Sequence, residues 1–100
     1  MPSGSPFQQV RDEISRFARD RATQEQLRTL MDRAEAATTP DALRPVITQA
    51  IAIMKQSATD SSCEENCQRQ YDNCVASCTD TSCITRCFGR YVLCMRSCQS

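Results

Sequence analysis

Apolar residues in the first sixty positions recur at three- and four-residue steps. Phe7, Val10, Ile14 and Phe17 form one stripe; Leu27, Leu30, Met31 and Ala34 form a second; Val46, Ile47, Ala50, Ile51 and Met54 form a third. That is the period of an α-helix with one face turned to a core. The punctuation agrees. Ser5-Pro6 puts proline at a first helical position, where its N–H has no partner to lose. Thr23 and Gln26 have capping-box spacing. "TTPDALRP" (38–45) breaks the pattern and restarts it, with Thr39 or Asp41 as the cap and Pro45 acceptable within the first turn. Three amphipathic helices with short turns predict a small antiparallel bundle over residues 1–58, and the stripe residues are read as its core. "KQSATDSS" (55–62) is a polar boundary, with Asp60 or Ser62 as the next cap.

Residues 59–100 follow a different rule. "CEENCQRQYDNCVASC" (63–78) and "CITRCFGRYVLCMRSC" (83–98) are two copies of Cys-x3-Cys-x6-Cys-x3-Cys. At about 100° per residue, Cys63, Cys67, Cys74 and Cys78 fall at roughly 0°, 40°, 20° and 60°, which is one narrow helix face. Cys83, Cys87, Cys94 and Cys98 repeat this on a second helix. "TDTS" (79–82) is the turn, with Ser82 as cap. Folded antiparallel, the pairs 63/98, 67/94, 74/87 and 78/83 share one sum of residue numbers, so each pair lies at one height. Helix axes about 10 Å apart bring such pairs within disulfide reach. The fold class expected is therefore all-α: a three-helix bundle followed by a disulfide-laddered antiparallel helical hairpin. Tyr71 and Tyr91 take matching places in the two copies and are read as packing between the rungs. The second copy also carries an apolar edge, Ile84, Phe88, Val92 and Met95, where the first has Glu64, Gln68 and Asp72. That edge either packs on the bundle or docks another protein.

Charge adds mainly exclusions. The 100 residues carry 12 basic and 12 acidic side chains. With no basic face, nucleic acid is not an expected partner. No apolar run approaches the ~20 residues of a membrane span. Residues 1–20 show no apolar secretory core, so a signal is expected to be missing or removed. Histidine is absent, and no phosphate loop or carboxylate cluster is visible, so no enzyme is expected. The even cysteine count in a small chain suits four disulfides and no cofactor. Metal is the rival: the same eight cysteines can form two four-thiolate zinc sites, Cys63/Cys67/Cys94/Cys98 and Cys74/Cys78/Cys83/Cys87, and Cu(I) would accept them too.

The paired Cys-x3-Cys segments at 63–98 resemble the twin-cysteine helical hairpins of the mitochondrial intermembrane space. Both copies depart from that pattern by carrying two Cys-x3-Cys units per helix and a short turn. The resemblance implies a compartment, the intermembrane space, and import through an oxidative-folding relay. Cys94, preceded by Tyr91, Val92 and Leu93, looks like the relay's docking cysteine, with Cys74 after Tyr71 a weaker candidate. It also implies other protein subunits as partners and a role as a small accessory subunit of a respiratory assembly. Two similar patterns suggest other classes. Plant α-hairpinins are secreted defence peptides or protease inhibitors, and copper-storage bundles carry Cys-x3-Cys on helices.

Overall fold

In the computed structural model, residues 6–18, 20–56 and 61–98 are described, with side chains from Gln8 onward. Among them are five α-helices and no strand: α1 Pro6–Phe17, α2 Arg21–Ala36, α3 Pro40–Gln56, α4 Ser61–Ala76 and α5 Thr81–Cys98. The expected Ser5 and Asp60 caps, the Phe7 side chain and the 58/59 boundary lie outside the described residues.

Aspartate starts two of these helices. The Asp20 carboxylate accepts from the Thr23 N–H at 3.0 Å and the Thr23 hydroxyl at 2.9 Å. Thr23, expected as a cap, is instead inside the first turn of α2. Likewise the Cys83 N–H donates to Asp80 Oδ1 at 2.8 Å. Asp80 therefore caps α5, and Ser82 lies within the helix. An ionised acceptor bonds an exposed N–H more strongly than a hydroxyl does, which favours both choices. Ser62 also falls inside its helix, since α4 begins at Ser61. Of the two candidates for α3, Thr39 is the cap: its hydroxyl accepts from the Ala42 N–H at 3.2 Å. With Pro40 first in the helix, Pro45 sits in the second turn rather than the first. It removes the hydrogen bond that the Asp41 carbonyl would otherwise accept. Both residues are exposed, so water can serve that carbonyl.

Each helix turns its stripe inward. Val10, Ile14, Phe17, Leu27, Leu30, Met31, Ala34, Ile47, Ala50, Ile51 and Met54 are all buried. Helix α1 packs on α2, α2 on α3, and α5 lies against both α1 and α3. Helix α5 thus closes a ring of four helices, and α4 lies outside that ring on α5. A single core contains side chains from the first three helices and from the hairpin. The radius of gyration of 12.7 Å matches the ~13 Å of one 100-residue domain. Bundle and hairpin share one core.

The apolar edge of α5 has its destination here. Ile84, Phe88, Val92 and Met95 are each 0 % exposed, covered by the chain itself. As an interaction edge for another protein, the assignment is corrected. The stripes of α1 and α3 need an apolar partner, and α5 supplies it. Arg11 pairs with Asp32 at 2.7 Å and with Glu35, tying α1 to α2, while Arg96 pairs with Glu13 and ties α5 to α1. Such surface pairs are worth about 1 kcal/mol or less and set register more than stability.

Two substitutions test this packing. Phe88→Ala should cost about 3–5 kcal/mol in urea unfolding of the isolated chain, because it empties a dry core position. Pro45→Ala should raise stability by about 1–3 kcal/mol by restoring a helical hydrogen bond and removing the ring's clash with the preceding turn.

The cysteine ladder as candidate functional site

Helix α4 buries little: Cys67, Tyr71 and Val75 along its sixteen residues, against eight buried residues on α5. What holds α4 in place is sulfur. The structure bonds Cys63 to Cys98, Cys67 to Cys94, Cys74 to Cys87 and Cys78 to Cys83. The Cα separations are 5.7, 5.7, 5.7 and 5.5 Å, at the commonest disulfide spacing. No described cysteine is free. Local sequence explains the geometry, because four-residue spacing keeps each helix's cysteines on one face. At the tip Cys78 has left the helix, and its N–H donates to the Val75 carbonyl at 3.0 Å.

The rungs come in two close pairs. Cys67 Sγ lies 3.7 Å from Cys98 Sγ, and Cys78 Sγ lies 3.7 Å from Cys87 Sγ. Cys63, Cys67 and Cys98 form one cluster of sulfurs within 4.8 Å of one another, and Cys78, Cys83 and Cys87 form another. Between the pairs stand the tyrosines. Tyr71 meets Tyr91 edge-on, with ring centroids 5.9 Å apart at 66°. Phe88 stacks on Tyr91 at 6.3 Å and 17°, which joins the ladder to the core. Burial pushes Tyr71 up to about 12, with Arg44 opposing and Asp72 reinforcing the shift. Tyr91 is also pushed up, by burial first and then by Glu64 and Asp72. Its hydroxyl has no hydrogen-bond partner among the described residues.

Chain entropy gives each rung a worth of about 2–4 kcal/mol taken singly. The loops are nested, with separations of 35, 27, 13 and 5 residues. Each inner bridge therefore leaves less for its outer neighbour to constrain. Arg44 of α3 is a contact that the sequence did not reveal: its guanidinium donates to the Cys78 carbonyl at 3.3 Å. A single arginine on a helix carries no signal of a partner thirty-four residues away.

No family model, curated protein or solved structure matches this chain. The likeness to twin-cysteine hairpins rests on the cysteine spacing and on a disulfide-rich helical hairpin. The chain is a small, disulfide-rich helical protein whose described residues show no catalytic arrangement, and no described helix is long and apolar enough to cross a membrane.

The oxidised chain should weigh eight hydrogens less than the reduced one, matching its four bridges, and should bind no alkylating reagent when denatured. Reduction should lower the far-UV helical signal by roughly one helix, since an isolated sixteen-residue polar helix such as α4 is marginal in water. The tyrosines give a pH test. Their phenols ionise near 10 in the unfolded chain and higher in the folded one, so unfolding releases protons above about pH 10. Stability is expected to fall from about pH 10 upward. Phenolate absorbance of the folded protein should lag that of the denatured chain, with Tyr71 titrating at about 12.

Proposed function

We propose that this chain is a non-catalytic structural protein, a disulfide-stapled accessory or assembly subunit of a mitochondrial respiratory complex. The observation that carries the reading is the one-sided, four-rung ladder joining a polar α4 to α5. Such a hairpin depends on an oxidising compartment, and the intermembrane space fits its twin-cysteine pattern. Tyr91 and Val92 are buried in the folded chain, so Cys94 meets the oxidative relay before folding, while its apolar neighbours are still accessible.

Assembly then uses the outer face of α5. Leu93, 45 % exposed, is the exposed large hydrophobic side chain among the described residues. Arg86 and Arg90 precede it at helical spacing, are exposed, and form no ion pair among the described residues. Glu13 beside them is held by Arg96 and Arg16. Two exposed arginines beside an apolar knob fit an acidic subunit surface with a small apolar recess.

The test is fractionation of cells expressing the tagged chain, with thiols trapped at lysis. The expected result is an oxidised protein in the intermembrane space that co-purifies with a multisubunit respiratory complex. Leu93→Asp should cut co-purification by about tenfold without changing the melting temperature, as loss of an interface anchor would. Recovery from the secretory route or the medium would instead place the chain with secreted hairpin peptides.

A further inference from the structure

The tip of the hairpin gathers four cysteines within residues 74–87. Cys78, Cys83 and Cys87 already hold their sulfurs within 4.8 Å of one another. The Cys78–Cys87 separation is 3.7 Å between sulfurs that are not bonded to each other. A tetrahedral zinc with Zn–S bonds of about 2.3 Å has sulfur–sulfur edges of about 3.8 Å. One edge of such a site is therefore in place. Cys74 and Cys78 are four residues apart, as are Cys83 and Cys87, giving two donors from each side of the tip. Cys83 lies in the first turn of α5, where the helix dipole favours a thiolate. The Arg44 guanidinium bonds the Cys78 carbonyl at 3.3 Å and sets a cation beside a centre that would carry a net charge of about −2.

We infer that reduction of the two tip rungs, Cys74–Cys87 and Cys78–Cys83, unmasks a four-thiolate zinc site. One dithiol per rung supplies two electrons and two protons and becomes a disulfide itself. Zinc then displaces one proton from each of the four thiols. The opposite cluster, Cys63, Cys67 and Cys98, is the weaker site. It has the Glu64 carboxylate as sequence neighbour, with Lys55 3.6 Å from that carboxylate, and its Cys63–Cys98 rung spans 35 residues. The tip site stands independently of the proposed role as a subunit.

The test uses the full chain, reduced with a phosphine and kept free of oxygen. One equivalent of Zn2+ should protect Cys74, Cys78, Cys83 and Cys87 from alkylation, read by peptide mapping, and leave the other four reactive. Co2+ should give the visible spectrum of a tetrahedral thiolate site. That spectrum should survive when Cys63, Cys67, Cys94 and Cys98 are all replaced by serine, and should vanish when Cys78→Ser and Cys83→Ser are added to that chain. Arg44→Ala should weaken zinc about tenfold, the effect of losing an outer partner of a metal site. Protection of the other four cysteines, equal protection of all eight, or no protection of any would overturn the inference. So would a cobalt spectrum that persists once Cys78→Ser and Cys83→Ser are added to the chain lacking the other four cysteines.

Discussion

Helix α5 has to satisfy two neighbours at once, and the rest of the fold follows from how it divides its surface. Its cysteines lie at roughly 0–60° around the helix, and Ile84, Phe88, Val92 and Met95 at roughly 100–180°. The two faces are therefore about a quarter-turn apart, not opposite. The apolar face fills the space between α1 and α3 and closes the ring. The cysteine face then points to one side of that ring, and α4 can attach only there. A wider angle would have placed the ring on one side of α5 and α4 squarely on the other, with little shared packing.

Tyr91 lies at roughly 80°, between the two faces, and does the joining. Its ring touches Tyr71 of α4 on one side and Phe88 of the core on the other. The two segments are coupled there, yet their stabilities have different sources. The ring of α1, α2, α3 and α5 is held by buried apolar side chains, which need no oxidant. Helix α4 is held by cross-links and three buried residues. Loss of the rungs is thus a local event: α5 keeps its place through Phe88 and its neighbours, while α4 becomes the low-stability unit of the molecule.

The parts of this structure that were legible in the sequence are those set by strict local periods. The helical stripes repeat at three and four residues, and the cysteines at four and seven, so face and height follow from counting. The errors arose where two local signals competed. Asp20 and Asp80 cap helices for which Thr23 and Ser82 are the expected caps. With the third stripe read from Val46 onward and Pro45 placed in the first turn, Leu43, 0 % exposed and one turn before Ile47, stays outside the expected core of α3. The destination of the α5 edge was open for another reason. A stripe shows that a partner exists, but whether the partner is internal depends on contacts between α1 and α5 that are distant in sequence. The bond from Arg44 to Cys78 is of the same kind.

The seven-residue step between the middle cysteines of each copy decides how the thiols behave as a system. Cys67 and Cys74 are separated along their helix by about 10 Å at 1.5 Å per residue, and the Tyr71–Tyr91 ring pair stands between them, beside a cleft of about 70 Å3. Thiol–disulfide exchange needs one sulfur in contact with another. Within each pair of rungs that condition is nearly met, since Cys67 lies 3.7 Å from Cys98 and Cys78 lies 3.7 Å from Cys87. Across the gap it is not met without unfolding the hairpin. Mispairing is therefore confined to partners within one end, where a swap shifts a bond by one helical turn and keeps the two helices side by side. An even ladder of cysteines every four residues would allow the register to slide from end to end. Breaking the ladder with Tyr71 and Tyr91 makes two short units, each of which can correct itself while the other holds the alignment.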